Sequence, residues 1–158
     1  MNDHPAVRQV SAALGAAGAT GSVRTLDASA RTAQQAADQL GCPVGAVANS
    51  LVFDADGGPL LVLTSGAHRA DPARLAAAVG AQRVARATPE FVRQHTGQAI
   101  GGVAPLGHPQ PLRTLVDTAL QAHAQVWAAA GHPHAVFPTT FEELVRITGG
   151  SPAEVAAD

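Results

Sequence analysis

The feature that most constrains the fold is a repeated pairing of a helix-start signal with a glycine stop. In four segments a threonine or an aspartate can cap the start of a helix. The cap is followed either directly by a proline or, three residues later, by a glutamine or glutamate, and a glycine follows the last helical turn. In a fifth, apolar residues recur at helical spacing before Gly18. The pattern predicts five short helices, over residues 5–17, 32–40, 71–79, 88–96 and 140–148.

The segments between these helices carry short apolar runs bounded by glycine, proline or aspartate, which are typical of strands. Predicted strands cover residues 22–26, 47–53, 60–63, 112–116, 125–129 and 135–137. Turn residues at 54–59 predict a hairpin. Because helices and hairpins interleave without a strict β-α-β rhythm, we predict an α+β fold with a mixed, mainly antiparallel sheet. Residues 1–158 are predicted to form a single domain, with a frayed tail at 151–158.

Composition argues against several classes of function. A net charge of −2, from ten basic and twelve acidic side chains, is unlike a protein that coats nucleic acid or an anionic membrane. All ten basic residues are arginines, and Cys42, the single cysteine, excludes an intrachain disulfide. The first residues lack the basic and apolar regions of a signal peptide, and no apolar run is long enough for a membrane span. We therefore expect a cytoplasmic protein with no membrane and no DNA partner.

The glycine-rich loop, residues 97–109, is the strongest local candidate for a binding site, since it holds four glycines and two prolines. Gly97 is explained as a helix stop. Adjacent Gly101 and Gly102 let a ligand approach the backbone amides, and Pro105 stiffens the exit from the loop. The alternative is a tight connection between a helix and a strand. The loop is neither a Rossmann fingerprint nor a P-loop, because it lacks the preceding strand of the first and the lysine of the second.

Other polar residues give weaker signals. Four histidines fall in predicted loops or at strand ends: His68, His108, His132 and His134. His132 and His134 could bind zinc, but no third ligand accompanies them, so hydrogen-bonding roles are the alternative. Asp117 follows a strand and could act as a base, an orienting group or a turn former. No Gly-x-Ser-x-Gly elbow surrounds Ser50 or Ser65, which argues against a serine hydrolase.

Six ordered blocks of the chain are similar to one family. They are residues 32–45, 49–53, 61–69, 96–108, 115–117 and 130–137. Together they resemble the YbaK/EbsC family, which contains free-standing aminoacyl-tRNA deacylases related to the editing domain of bacterial prolyl-tRNA synthetase. The match runs in order from about residue 30 to about residue 149.

The resemblance implies a mixed, partly barrel-like sheet flanked by about five helices, with a pocket for the 3′-terminal adenosine and the amino acid of a mischarged tRNA, such as tRNA-Pro. It implies trans-editing by ester hydrolysis without a metal, a cofactor or a conventional side-chain nucleophile, with backbone amides of residues 101–105 positioning substrate and water. The residues expected to act in catalysis are Gly101, Gly102 and Asn49. Those expected to bind substrate are Val47, Ser50, Ser65, His68, Arg69, Ile100, Val103, Pro105, Asp117, His132 and His134.

Asn49 stands where the family has a pocket lysine. An amide can hydrogen-bond a hydroxyl, a carbonyl or a phosphate, but it carries no positive charge. Arg69 is the nearest arginine by motif that could compensate. A non-catalytic module that binds aminoacyl-adenosine-like ligands is therefore the alternative to a deacylase. With so little net positive charge, we expect recognition mainly of the tRNA acceptor end, with an aminoacyl-tRNA synthetase as a candidate partner.

Overall fold

A computed structural model describes residues 4–30 and 32–156. The five helices are α1 Pro5–Ala16, α2 Ala33–Leu40, α3 Pro72–Val79, α4 Pro89–Thr96 and α5 Phe141–Thr148. The eight strands are β1 Arg24–Thr25, β2 Val47–Ala55, β3 Gly58–Ser65, β4 Val84–Arg86, β5 Arg113–Asp117, β6 Val126–His132, β7 Ala135–Thr139 and β8 Ser151–Ala153. No helix among the described residues has the length and hydropathy that crossing a bilayer requires.

The helix ends are those that the capping pattern predicts. The side chains of Thr32, Asp71, Thr88 and Thr140 each accept a hydrogen bond from a backbone N–H two or three residues ahead. The glycines that follow α2 to α5 adopt the left-handed conformation, with φ between 66° and 72°. Local chemistry therefore sets both ends of these four helices.

The strands form one mixed sheet in the order β1-β7-β6-β2-β3-β5-β8, with β4 paired to the outer half of β2. Among the described residues four pairings are antiparallel and three are parallel. Strands β1 and β8 lie at opposite ends of this order, so the sheet is not closed. The α+β prediction and the mixed sheet are confirmed.

The prediction of a frayed tail was wrong for residues 151–156, and residues 157–158 lie outside the described part of the chain. Residues Ser151–Ala153 form β8, which pairs in parallel with β5, and Val155 is fully buried beyond it. Strand β4 was not predicted, because three residues are too few to show an alternating pattern.

The sheet is covered on both faces. Along β3, Leu61 and Leu63 join the largest apolar cluster, with α1, α4 and α5, whereas Leu60 and Val62 join a second cluster with α3. Helix α2 packs on a third cluster beside β2 and β7. The glycine-rich loop runs from α4 to β5, and Val103 and Ala104 anchor it in the largest cluster. This packing places the loop beside the first half of β2, away from the end that pairs with β4.

Candidate functional site

Four residues form the junction between two neighbouring cavities. Asn49 and Ser50 lie on β2, and Gly101 and Val103 lie on the glycine-rich loop; all four line both cavities. The larger, here called the main cleft, has a volume of about 460 Å³. The smaller, here called the side cavity, has about 50 Å³. The fold thus brings Asn49 and Gly101, which are 52 residues apart in the sequence, to one point.

The main cleft is positively charged. Its other lining residues include His68, Arg69, Arg86 and Ile100, and no aspartate or glutamate lines it. Neither Arg69 nor Arg86 forms an ion pair within the described residues, and the Arg86 guanidinium lies 5.8 Å from the ring centroid of Phe53. Two unpaired guanidinium groups beside an open cleft favour an anionic ligand.

The side cavity is small and largely apolar. Alanines, valines and Trp127 form most of its wall, and its polar members are Thr32, Asn49, Ser50 and His132. Its volume corresponds to one or two water molecules, at about 30 Å³ each. Such a space is comparable in size to a methyl or hydroxymethyl group.

Buried hydrogen bonds hold the glycine-rich loop. The backbone N–H of Ala104 donates to Gln98 Oε1 at 2.7 Å, and Gln98 is 4% exposed. Its own N–H donates to Thr96 Oγ1 at 2.9 Å, while the His108 ring contacts the Ala104 carbonyl oxygen through Nε2 at 2.8 Å. Burial lowers the pKa of His108 in spite of this bond, which keeps the ring neutral and donating from Nε2.

The backbone amides of this loop divide into satisfied and free groups. Gly102 N–H donates to the Ala99 carbonyl at 3.2 Å, and Ala104 N–H donates to Gln98. The N–H groups of Gly101 and Val103 make no hydrogen bond within the described residues. Both of these residues border the main cleft and the side cavity. Two donors are therefore available at the junction.

The two adjacent glycines are required for different reasons. Gly101 has φ +95°, with open space where a Cβ would lie. At Gly102 a Cβ would lie 2.7–2.9 Å from the backbone atoms of His132. Gly101 thus provides the turn, and Gly102 allows the loop to pack against β6.

A buried carboxylate lies beside His68. Asp117, which is 2% exposed, accepts hydrogen bonds from Ser65 N–H and Ala119 N–H, both at 2.9 Å. Its Oδ2 is 3.5 Å from His68 Nδ1. Both residues also line a further cavity of about 340 Å³, here called the outer cavity.

The predicted site residues fall into two groups. Those that line the main cleft or the side cavity are Val47, Asn49, Ser50, His68, Arg69, Ile100, Gly101, Val103 and His132. Those that line neither are Ser65, Gly102, Pro105, Asp117 and His134.

Each residue of the second group has another position in the fold. Ser65 donates to the Gly45 carbonyl at 2.8 Å, and His134 Nε2 is 2.7 Å from Ser29 Oγ. Pro105 lines a separate cavity with His108. Gly102 packs against β6 and Asp117 lies beside His68, so both residues contact groups that line the cavities without lining them themselves.

Three residues of the site were not predicted from the sequence: Gln98, Arg86 and Trp127. A buried glutamine has no sequence pattern that distinguishes it from a surface glutamine. Arg86 lies on the three-residue strand β4, and Trp127 was assigned only to a strand. Among the described residues, no three histidine, cysteine, aspartate or glutamate side chains are arranged to hold a metal ion.

Comparison with known proteins gives a consistent set of relatives. The family model of the aminoacyl-tRNA editing domain matches residues 27–147. A proline–tRNA ligase of Nitratidesulfovibrio vulgaris is 33% identical over 95 residues, which are 60% of this chain and 17% of the ligase. The chain therefore spans about a sixth of that relative's length.

Two relatives match over most of their length. The Bacillus subtilis protein YwhH is 28% identical over 123 residues, 77% of this chain and 78% of YwhH. A crystal structure described as a candidate trans-editing enzyme for prolyl-tRNA synthetase superposes with a TM-score of 0.92 at 42% identity, over 98% of this chain and 99% of that one.

Proposed function

Because this chain belongs to the aminoacyl-tRNA editing domain family, we propose that it hydrolyses the ester bond of a mischarged aminoacyl-tRNA in trans. The observation that carries the proposal is the junction at Asn49 and Gly101, which joins a nucleotide-sized cleft to a cavity sized for a small side chain. The main cleft lies within the range of about 300–1,000 Å³ typical of small-molecule sites. An ester held at the junction would lie between the two.

The charge of the main cleft supports the orientation of the substrate. In the proposed complex the terminal adenosine occupies the main cleft, where Arg69 and Arg86 meet backbone phosphates. The side chain of the amino acid enters the side cavity. Asn49 hydrogen-bonds the ribose or the carbonyl, as a neutral group at the position where the family resemblance implies a lysine.

The free amides support a mechanism without a side-chain nucleophile or a metal. Attack of water on the ester carbon places negative charge on the carbonyl oxygen, and preorganised N–H donors stabilise that charge. The amides of Gly101 and Val103 are the donors that we assign to this role, because the neighbouring amides of Gly102 and Ala104 are already bonded. Removing one such donor typically costs about 100- to 1,000-fold in kcat.

The size of the side cavity selects the amino acid. We propose that the substrates are esters of small amino acids such as alanine and serine, because the side cavity has a volume of only about 50 Å³. We propose tRNA-Pro as the carrier, because the ligase matches are proline–tRNA ligases and the structural relative is described in connection with prolyl-tRNA synthetase. A prolyl-tRNA synthetase is the corresponding candidate partner.

The test is hydrolysis of tRNA-Pro charged with alanine, serine, valine, leucine or proline. We expect turnover of the alanyl and seryl esters, unchanged by a chelator, and a strong loss in Asn49→Ala. Gln94→Ala, on the outer face of α4, is the matched control. Absence of turnover for all five esters by folded protein would overturn the proposal.

A binding module is the second candidate, favoured by the neutral Asn49 at the junction. It predicts saturable binding of a non-hydrolysable alanyl-adenosine analogue without hydrolysis of any ester. Isothermal titration with that analogue, beside the turnover assay, separates the two functions.

A further inference from the structure

His68 is the one residue lining the main cleft whose side chain can accept a proton near neutral pH. The lining contains no aspartate, glutamate, cysteine, lysine or tyrosine, and Arg69 and Arg86 remain protonated. Water that attacks an ester must lose a proton as the new bond forms, and a positioned base accelerates that step. If a side chain in this cleft takes the proton, it is His68.

The topology places a buried carboxylate directly behind this histidine. Strands β3 and β5 are parallel neighbours, with Leu63 opposite Val116, so the loop after β3 and the end of β5 meet at the same edge of the sheet. Asp117 ends β5 and accepts a hydrogen bond from the backbone N–H of Ser65, the last residue of β3. His68 is fixed in the same turn, because its own N–H donates to the Ser65 carbonyl at 2.9 Å.

The carboxylate selects the tautomer of the ring. His68 Nδ1 is buried, has no hydrogen-bond partner within the described residues, and is 3.5 Å from Asp117 Oδ2. A ring nitrogen that faces a carboxylate carries the hydrogen in neutral imidazole, which leaves the other nitrogen with a lone pair. Nε2 is then the nitrogen that can accept a proton, and the His68 side chain lines both the main cleft and the outer cavity.

We propose that His68 is a catalytic residue that accepts a proton from the attacking water, and that Asp117 is its positioning residue. This inference rests on the proposed hydrolysis. The water oxygen bonds to the ester carbon while its proton passes to Nε2. The bond from that carbon to the ribose oxygen then breaks, and the proton on Nε2 passes to the departing oxygen. The Asp117 carboxylate stabilises the transient imidazolium, as the carboxylate does in hydrolase triads.

The charged groups around His68 come from five parts of the chain: β5, the loop after β3, β4, α3 and the segment after β8. Asp117 faces it from the end of β5, Arg69 neighbours it on the same loop, and Arg86 lines the main cleft from β4. Arg74 of α3 and Glu154 line the outer cavity with it and pair with each other at 3.6 Å. All of these charged groups can affect the pH dependence of the reaction. The experiment therefore compares the pH–rate profiles of several variants and does not rely on the midpoint of one profile.

The experiment measures kcat and KM for alanyl-tRNA-Pro between pH 5.5 and 8.5 for the wild type, His68→Gln and Asp117→Asn. His95→Gln, a histidine of α4 that lines neither cavity, is the matched control. We expect His68→Gln to lower kcat by about 100- to 10,000-fold with KM within threefold. Its residual rate should rise tenfold per pH unit, as for hydroxide attack, without the ionisation seen in the wild type.

Asp117→Asn tests the positioning role separately. We expect kcat to fall by about tenfold or more, with a displaced but surviving ionisation, since His68 is still present. Because Asp117 also binds two backbone amides, binding of the alanyl-adenosine analogue and the melting temperature of each variant establish that it is folded. A kcat in folded His68→Gln within threefold of the wild type overturns the inference and leaves the proposed function standing. Wild-type protein that hydrolyses none of the esters overturns both.

Discussion

The side chain of Gln98 closes the glycine-rich loop by accepting a hydrogen bond from the backbone N–H of Ala104, 2.7 Å away. This bond spans the segment that contains the free amides of Gly101 and Val103. Gln98 is itself oriented by Thr96, whose hydroxyl accepts the Gln98 N–H and donates to the Val92 carbonyl at 2.7 Å. The position of the proposed oxyanion donors therefore depends on a buried side chain that does not line either cavity.

Gln98→Met is the corresponding test, since methionine has a similar length and no carbonyl. We expect the free energy of unfolding to fall by about 1–3 kcal/mol, because the Ala104 N–H loses its partner in a buried site. We expect kcat to fall by about 100-fold, the effect of a displacement near 1 Å. Urea unfolding and steady-state kinetics measure the two quantities. Gln94→Met, on the exposed face of the preceding helix α4, is the control, and equal kcat in the two variants would contradict the role of Gln98.

Gly101→Ala and Gly102→Ala should damage the protein in different ways. At Gly101 the added methyl meets no atom, and the cost is the strained φ, about 1–2 kcal/mol. At Gly102 the methyl meets the His132 backbone at 2.7–2.9 Å, so the loop and β6 must separate. We therefore expect the larger loss of stability at Gly102, with both variants losing activity. Urea unfolding decides the order, and a Gly102→Ala protein as stable as Gly101→Ala would argue against the close packing.

Arg69 and Arg86 should set the salt dependence of substrate binding. For single-stranded nucleic acid, the slope of log K against log salt concentration changes by about 0.7 for each phosphate that the protein neutralises. We expect Arg86→Gln to weaken binding of the acceptor end and to reduce the slope by that amount, and Arg69→Gln to do the same. Arg8→Gln, on the exposed face of α1, should leave the slope unchanged. Titrations at several salt concentrations provide the measurement, and an unaltered slope in both cleft variants would exclude phosphate binding there.

Glu143 should make stability depend on pH in the acid range. Burial raises the pKa of this carboxyl, but hydrogen bonds from Thr139 and Thr20 and the charge of Arg146 outweigh burial and lower the pKa below its usual value. A lowered folded-state pKa gives stability that is fully present above the unfolded-state pKa and is lost as the pH falls through the folded-state pKa.

Glu143→Gln should therefore lower the free energy of unfolding by about 1–2 kcal/mol at pH 7 and flatten its decline between about pH 5 and pH 3. Glu142→Gln, its exposed neighbour, is the control. Unfolding curves across this range provide the measurement, and parallel pH profiles for wild type and Glu143→Gln would contradict the assignment.

The parts of the fold that were predictable are those with local causes. Thr32, Asp71 and Thr88 form their caps with residues two or three positions away, so the sequence around them contains the whole signal. Strand β8 has a distant cause: Pro152 pairs with Val116, and nothing in residues 151–153 indicates that partner. The difference is sequence separation, because a pairing across 36 positions leaves no periodicity to detect.

The candidate site was predictable to the extent that its residues have characteristic types. The paired glycines and the family resemblance drew attention to Gly101 and Asn49, which the fold brings to one junction. Gln98 has an unremarkable residue type, and its role depends on burial. His134 is the opposite case, because its residue type and its place in a block similar to the family predicted a role in the site. Its ring nitrogen instead contacts the hydroxyl of Ser29, and its side chain lines neither cavity.

The segment that the family model matches, residues 27–147, is shorter than the unit that packs together. Helix α1 precedes it, yet Val7, Val10 and Leu14 are each at most 3% exposed, and α1 also rests on Gly107 of the glycine-rich loop and on Gly131 before His132. Val155 follows the segment and is fully buried. A fragment cut at the borders of the family match would therefore lose buried residues that pack against the site, so a stable version of this domain has to include the residues on both sides of the matched segment.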